Sequence, residues 1–195
     1  YRFDTKQWKT RQPYPPYGTI YAAALMRACG FEVHLFDTNL AKSADEILPV
    51  LKRIRPDYLV IYDDGFNYLT KMCLTRMREA AFELAKYGKQ HGCTVIVNSS
   101  DASDHCDLYL GQGADFVIPG EGEITLRELV MTLDGRHGAA DGGQWTISGI
   151  AYKHAASRPD SPPTVHRTAP RQVLNDLDSL PDPAWDLVDM AEGWG

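Results

Sequence analysis

The stretch Ala114-Asp115-Phe116-Val117-Ile118-Pro119-Gly120-Glu121-Gly122-Glu123 decides the fold class of this chain. Its first five residues are a mostly apolar run typical of a buried strand, and its last four alternate glycine with glutamate. A helical pattern over residues 124–133 follows at once, so the stretch predicts a strand, a tight turn and a helix. Ligands bind at such turns in open α/β sheets, where glycine lets the backbone approach them closely. The same residues also suit a plain tight turn, and both interpretations stand.

Two strand patterns further upstream end in similar polar turns. Residues 58–62 are an apolar run that leads into Asp63-Asp64-Gly65-Phe66-Asn67. Residues 93–97 form another, which leads into Asn98-Ser99-Ser100-Asp101. Apolar residues at three- and four-residue steps over 69–85 predict a long helix between the two strands.

The N-terminal part continues the alternation of helices and strands. The stiff turn Pro13-Tyr14-Pro15-Pro16-Tyr17-Gly18 leads into a predicted helix of small residues at 19–29, and residues 31–36 alternate as a strand. Four βα units in series predict an α/β fold, a doubly wound parallel sheet of flavodoxin-like type with helices on both faces. Right-handed crossovers then place the carboxyl ends of the strands, and the turns that follow them, at one edge.

A complete doubly wound sheet needs a strand before the turn at Pro15. Residues 1–8 do not have a strand pattern, so we expect the first strand upstream of Tyr1. The chain begins without Met and stops in the polar segment Ala191-Glu192-Gly193-Trp194-Gly195. The expectation from these ends is a fragment of a longer polypeptide.

The character of the sequence changes at Asp134. Residues 135–143 are rich in glycine, and residues 147–152 with 164–167 predict a small β-hairpin. The prolines in residues 175–185 exclude regular helix or a central strand there, which predicts an extended linker. The sequence therefore predicts an α/β domain over residues 1–133, followed by a hairpin and a linker over residues 134–195.

Composition narrows the classes of partner and location. The net charge of −6 comes without a basic stripe, which argues against nucleic acid as a partner. No apolar run approaches the roughly 20 residues that span a membrane, and no basic-then-apolar leader is present. The scattered cysteines, with no Cys-x-x-Cys spacing, predict reduced thiols in a cytoplasmic protein; they are Cys29, Cys73, Cys93 and Cys106.

Four motifs, taken in order, resemble one family. They are the Pro13–Gly18 turn with its small-residue helix, the run from Gly113 to Leu126 around the glycine–glutamate turn, Ile147-Ser148-Gly149-Ile150-Ala151-Tyr152, and Leu177-Asp178-Ser179-Leu180-Pro181-Asp182-Pro183-Ala184-Trp185. Together they are similar to the N-terminal cobalamin-binding domain of cobalamin-dependent radical S-adenosylmethionine (SAM) enzymes. The resemblance covers nearly all of the chain. It implies that cobalamin is bound here, either as methylcobalamin for methyl transfer or as cobalamin for a ring rearrangement, on an unknown substrate.

The resemblance also implies partners and limits. A radical SAM domain of the same polypeptide would hold a four-iron cluster and S-adenosylmethionine. The three-cysteine motif for that cluster is absent from this sequence, so the chain is not expected to be catalytic alone. The Asp-x-His-x-x-Gly signature of cobalamin mutases is absent too, which implies cobalt without a protein histidine ligand.

The residues expected to contact cobalamin lie in the four turns. Asn98, Ser99 and Ser100 offer donors and acceptors to the corrin amides, although such residues favour turns in any case. The candidate cofactor-binding residues are Pro16, Tyr17, Gly18, Asp63, Gly65, Phe66, Asn98, Ser99, Ser100, Asp101, Gly120, Glu121, Gly122 and Glu123. We expect no metal ligand among them; His105, the histidine nearest this edge, is a weak candidate for the lower ligand of cobalt.

Two other classes of function fit the same sheet. A phosphoacceptor (receiver-like) signalling domain would use Asp63 or Asp64 as its acceptor, but Pro119-Gly120-Glu121 stands where such a domain needs a lysine. A dinucleotide or nucleotide-sugar enzyme fits less well, because no Gly-x-Gly-x-x-Gly follows the early strand.

Overall fold

A five-stranded open sheet organises the chain. In this computed structural model, the structure describes residues 15–62, 74–136, 145–154 and 164–188. The strands lie side by side in chain order: β1 (Tyr58–Tyr62), β2 (Thr94–Asn98), β3 (Phe116–Val117), β4 (Ala151–His154) and β5 (Thr164–Arg167). The first three are parallel, whereas β4 is antiparallel to both β3 and β5.

Helices connect the parallel strands. The α-helices are α1 (Tyr17–Ala28), α2 (Ile47–Ile54), α3 (Leu74–Gln90), α4 (Ser100–Asp104), α5 (Cys106–Gly111) and α6 (Glu123–Leu133). Short 3-10 turns occur at Ala44–Glu46, Leu177–Ser179 and Trp185–Leu187. The long helix predicted from residue 69 is described from Leu74 onward, since residues 63–73 lie outside the described part of the chain.

Both faces of the sheet are covered. Helices α1 and α6 contact each other and share a core with Ile96 on one face. Helices α3, α4 and α5 pack around Val95 and Val97 on the opposite face. A strand buried on both sides is apolar throughout rather than alternating, which is why β2 looks continuous in the sequence. The predicted α/β class, with a mostly parallel open sheet of flavodoxin-like or Rossmann-like kind, is confirmed.

The predicted hairpin forms and becomes part of the main sheet. Strand β4 pairs with β3 through Phe116 opposite Tyr152 and Val117 opposite Ala151. Phe116, Trp145 and Tyr152 make a tilted and edge-on aromatic cluster at this junction. The two parts of the predicted domain division are therefore joined by strand pairing at this point.

The segment after β5 returns to the body of the fold. The amide of Ala184 donates to the carbonyl of Ile20 at 3.1 Å, and Ala184 is buried against α1. Arg27 of α1 pairs with Asp186 at 2.7 Å. The segment has no regular strand or α-helix over residues 168–188, as its prolines predicted. Its first part contacts α6 through Arg171, and residues 184–186 lie against α1.

One predicted strand is absent. Residues 31–36 are extended without ladder pairing, although their burial alternates over the first five positions as the sequence suggested. The reason is that a strand requires a neighbour to exchange backbone hydrogen bonds with. Among the described residues, none pairs with this segment in a sheet.

Two expectations from the composition, on the cysteines and on membrane-spanning helices, can be compared with the structure. Cys29, Cys93 and Cys106 are unpaired thiols, and the latter two are buried, as predicted for core cysteines. Cys73 lies outside the described residues. Over the described ranges, no helix combines the length and apolar character needed to cross a bilayer.

The close packing of α3 on the sheet gives a stability prediction. A Cβ at Gly88 would lie 2.6 Å from Leu59 Cδ2 and 2.9 Å from Val95 Cγ2, so Gly88→Ala overpacks the helix–sheet contact. We expect it to lower the free energy of unfolding by about 1–3 kcal/mol. Gly111→Ala is the control, because a Cβ there meets open space and should stabilise α5 by up to about 1 kcal/mol. Chemical denaturation measures both, and equal effects would contradict the packing.

Candidate functional site

Side chains from successive turns meet at the carboxyl edge of the sheet. The Thr19 hydroxyl of α1 donates to the carbonyl of Tyr62 at 2.9 Å. The Tyr62 phenol donates to Glu123 at the start of α6, at 2.8 Å. The Gly120 amide donates to the Ser103 hydroxyl of α4 at 3.0 Å. The structure thus brings the turns before α1, α4 and α6 to one edge, as the parallel topology predicted.

Asn98, at the end of β2, is committed to the protein itself. Its side chain is buried, and Nδ2 donates to the carbonyls of Ile118 at 2.8 Å and Gly120 at 3.0 Å. Both donors of its amide group are therefore used to hold the turn after β3. The amide donors of Asn98 thus have a structural role, and its predicted contact with a ligand stays a prediction.

Gly122 is pressed against that same amide. A Cβ at this position would lie 2.9 Å from the Asn98 amide and 2.9 Å from the Tyr62 hydroxyl. The residue is buried, so the glycine is required by its protein neighbours.

Gly120 differs from Gly122 in every one of these respects. It is exposed, has a φ of +74°, and a Cβ there would meet no atom of the described residues within 4 Å. Its backbone is anchored from beneath by Asn98 and Ser103. The outer surface of this turn is open, so of the two glycines it is Gly120 that offers its backbone to the exterior.

Ser99 and Ser100 differ in exposure, as the two glycines do. Ser99 is buried and caps α4, because its hydroxyl accepts from the Ala102 amide at 2.9 Å. Its carbonyl accepts from the Ser103 hydroxyl at 2.8 Å. Ser100 is exposed at the first position of α4. The capping role is the alternative that the turn-forming character of these residues had left open.

Asp101 is the centre of a buried polar cluster. Arg78 of α3 donates to it through Nε at 2.7 Å and Nη2 at 2.5 Å, and Tyr109 of α5 donates at 2.7 Å. Burial alone would raise the pKa of Asp101, but the hydrogen bonds from Arg78 and Tyr109 outweigh it and the pKa is lowered. The pKa of Tyr109 is raised by burial and by the adjacent carboxylate. Hydrogen bonds to Asp101 therefore hold α3 and α5 next to the end of β2.

The remaining predicted residues of the N-terminal turn lie around the start of α1. Pro16 is buried and its carbonyl accepts from the Ile20 amide at 3.0 Å. Tyr17 is 51% exposed, and its ring lies 6.0 Å from that of Trp185. Gly18 is within the first turn of the helix. An exposed aromatic pair thus stands beside this turn, and its second member was not predicted.

The two glutamates make different contacts. Glu121 is exposed and accepts from the Leu174 amide at 3.3 Å, which ties the turn to the C-terminal segment. Glu123 accepts from Tyr62. Asp63, Gly65 and Phe66 lie outside the described residues, so their predicted roles stay predictions.

Asp37 lies outside the set of residues that the sequence predicted to bind a ligand. It follows the extended segment 31–36, and its Oδ1 accepts from the Asn39 amide at 2.8 Å. Its Oδ2 is buried without a hydrogen-bond partner in the described part of the protein. Burial raises the pKa of this carboxyl above its ordinary value. The signal in the sequence was its position, directly after a strand pattern, where the other candidates lie.

No metal centre is found in the described ranges, where no three acidic, histidine or cysteine side chains converge. The His105 side chain is 45% exposed, with Nε2 3.8 Å from Asp101. Its imidazole therefore lies next to the Asp101 cluster.

Comparison with known proteins gives one distant relative. A protein of Pyrococcus horikoshii named as an uncharacterized methyltransferase is 26% identical over 183 residues, which is 90% of this chain. The chain spans 34% of the length of that relative. No protein-family model matches the chain. No solved structure gives a significant match.

The Asp101 cluster predicts a pH-dependent loss of stability. Asp101→Asn removes the charge that Arg78 faces and should lower the free energy of unfolding by about 2–3 kcal/mol at pH 7. Because the folded-state pKa of Asp101 is lowered, its contribution is complete above the ordinary value of about 4 and is lost as the pH falls through the folded value.

Chemical denaturation at several pH values measures this effect. The difference between wild type and variant should be constant from pH 5 to pH 8 and shrink below about pH 4. Asp104→Asn, at an exposed position of the same helix, is the control and should change little. A difference that stays the same at pH 3 would contradict the role given to the carboxylate.

Proposed function

We propose that this chain is the cobalamin-binding part of a longer, methyltransferase-like radical SAM polypeptide. The observation that carries the proposal is the open turn at Gly120, on the carboxyl edge where a sheet of this class takes its ligands. The order of the four sequence motifs supports the same conclusion. The distant relative named as a methyltransferase favours methyl transfer over ring rearrangement.

The exposed residues of this edge fit a broad disc that carries amides. Gly120 and Ser100 are both exposed; Gly120 has no side chain and that of Ser100 is short, so a disc could lie close to the backbone. Glu121 is exposed beside Gly120 and offers carboxylate oxygens to amide hydrogens. We propose that these three residues contact the corrin amides and that the exposed ring of Tyr17 covers an apolar part of the cofactor.

The buried residues of the edge then support the surface from beneath. The Asn98 amide donors, the Ser99 hydroxyl and the Asp101 carboxylate form hydrogen bonds within the protein. Gly122 is confined by Asn98 and Tyr62. In this proposal they fix the height and shape of the turns, and their substitution acts on cobalamin through the fold. Preorganised turns of this kind lower the cost of ordering the site when ligand binds.

Cobalamin, when bound, supplies a cobalt centre that carries a methyl group. The chain's part would be to bind and orient the cofactor and to leave the upper face accessible to the neighbouring domain. That domain, with its four-iron cluster and S-adenosylmethionine, belongs to the same proposal and lies outside residues 1–195, since this sequence has no three-cysteine motif. The substrate is the group that the neighbouring domain activates.

Gly120→Leu tests the site directly. If Gly120 lies against cobalamin, a leucine side chain intrudes and should weaken binding at least tenfold, which is about 1.4 kcal/mol. Gly92→Leu is a matched control, because Gly92 has a φ of +83° and open space around its Cβ, but precedes β2 at the opposite end of the strand. The two variants therefore carry the same kind of backbone strain and differ in their location in the fold.

Spectrophotometric titration of the natural polypeptide with hydroxocobalamin measures the affinity, and thermal unfolding measures the strain. Both variants should melt at similarly reduced temperatures, and only Gly120→Leu should lose affinity. Equal affinity in the two variants would remove Gly120 from the site. An absence of cobalamin binding in the wild-type polypeptide would overturn the proposed function itself.

A second test addresses the lower ligand of cobalt. We propose that no histidine of this chain coordinates it, so His105→Ala should leave the absorption and electron paramagnetic resonance spectra of the bound cobalamin unchanged. Disappearance of a nitrogen-ligand splitting in that variant would assign the ligand to His105 instead.

A further inference from the structure

We propose that a parallel β-strand, contributed by the polypeptide N-terminal to Tyr1, occupies a slot between residues 31–36 and β1. The slot is a cavity of about 830 Å³. Residues 31–39 line one side of it and β1 lines the other. Cobalamin has no part in this proposal, which is independent of the proposed function.

The slot has the walls of a missing central strand. Helices α1 and α6 line one face through Ala22, Met26 and Val130. Helices α2 and α3 line the opposite face through Leu51 and Leu84. Two helical layers and two extended segments thus enclose it, which is the environment of a strand within a doubly wound sheet.

The edge of β1 that faces the slot is ready for pairing. Thr94 of β2 donates to the Asp57 carbonyl at 2.8 Å, and the parallel register then directs the backbone groups of residues 57, 59 and 61 to β2. The amides and carbonyls of Tyr58 and Val60 point the other way. No described residue forms a backbone hydrogen bond with them on that edge.

Burial agrees with an incomplete sheet. Every residue of β1 is only half-buried, whereas four of the five residues of β2 are fully buried. The central residues of both strands are apolar, as expected of strands that are covered on two faces. A flat apolar edge of this kind is a pairing and aggregation hazard that native proteins cover. A strand in the slot would bury the flank of β1 and give residues 31–36 the ladder partner that they lack.

The start of α1 identifies the origin and direction of the occupant. The Thr19 hydroxyl contacts the Tyr62 carbonyl, so α1 begins at the carboxyl edge of the sheet. A strand parallel to β1 ends at that edge, where its chain can continue through the turn at Pro16 into α1. With residues 31–36 next in the chain, this gives a right-handed β–α–β crossover, the strongly preferred hand. The occupant therefore precedes α1 in the polypeptide.

Composition places the occupant before Tyr1. A strand covered on both faces needs about five consecutive apolar residues. Charged or polar residues interrupt residues 1–14 too often to supply such a run. The chain spans only 34% of the relative from Pyrococcus horikoshii, so a related polypeptide is much longer.

Asp37 adds a polar contact at the end of the slot. Its unpartnered Oδ2 is buried and Asp37 lines the cavity at the carboxyl edge. A backbone amide or hydroxyl at the end of the inserted strand would supply the missing donor. Burying an unsatisfied carboxylate oxygen is costly, which gives a second reason for the slot to be filled.

Hydrogen exchange tests the proposal without any ligand. Two polypeptides are compared: residues 1–195, and the natural polypeptide that continues N-terminal to Tyr1. In the shorter one, the amides of Tyr58 and Val60 should exchange at least about a hundredfold faster than those of Leu59 and Ile61, which bond to β2. In the longer one all four should be protected. NMR or residue-resolved mass spectrometry provides the rates.

Three outcomes would overturn the proposal. Fast exchange at Tyr58 and Val60 in the longer polypeptide would show that no strand is added. Protection in residues 1–195 together with a dimer in sedimentation would assign the slot to a second copy. Protection in a monomer of residues 1–195 would assign it to a part of this chain.

A pair of variants provides an independent measurement. Val60→Pro removes the amide that faces the slot, whereas Val60→Ala removes similar side-chain packing and keeps the amide. The extra loss of melting temperature of the proline variant over the alanine variant should be larger in the longer polypeptide than in residues 1–195. The same extra loss in both polypeptides would contradict strand insertion.

Discussion

The side-chain amide of Asn98 connects the end of β2 to the turn after β3, and the geometry of the carboxyl edge depends on that connection. By donating to the carbonyls of Ile118 and Gly120, it holds the turn close enough that only glycine fits at position 122. The Tyr62 hydroxyl closes the same space from the side of β1 and reaches Glu123. One buried amide therefore sets the height of the surface on which a ligand would rest.

The Asp101 cluster holds helices in place by hydrogen bonds, as Asn98 holds the turn after β3. Asp101 lies one turn beyond Asn98 and receives hydrogen bonds from α3 and α5. Because its partners are charged or polar and largely buried, removing the carboxylate leaves the Arg78 guanidinium without its partner. The two buried groups thus belong to the support of the edge. Ser100, Gly120 and Glu121 are exposed at this edge, and in the proposed function they are the residues that would contact the ligand.

In the described part of the chain, the edge of β1 that faces away from β2 has no strand paired with it. The apolar strand β1 has helices on both faces but an open hydrogen-bonding flank. An added strand would close that flank and cover the helix surfaces that line the slot. The carboxyl edge would gain a turn between α1 and β1, the two elements that the Thr19–Tyr62 contact joins. Completion of the sheet and completion of the ligand-binding edge would then be the same event.

Periodicity alone determined most of the architecture. The apolar runs at β1, β2 and β3 and the three- and four-residue steps of α3 predicted the parallel βα units, because a strand covered on two faces must be apolar throughout. It could not determine that residues 31–36 would lack a ladder, since their alternating pattern is the same with or without a neighbour. Periodicity also predicted a hairpin without showing that β4 would pair with β3. Which strand pairs with the edge of a sheet depends on the arrangement of the strands in space, and periodicity does not contain that information.

Sequence identified which turns gather at the carboxyl edge, since parallel strands place their ends there whatever their side chains are. Only the tertiary structure decided which residues of those turns face outward. Asn98, Ser99 and Asp101 have the same chemistry as ligand-binding groups, but the Asn98 amide donors, the Ser99 hydroxyl and the Asp101 carboxylate already form hydrogen bonds with other groups of the protein. Gly120 and Gly122 look equivalent in the chain. They differ because Asn98 and Tyr62 fill the space beside Gly122, whereas no residue in the described part of the chain fills the space beside Gly120.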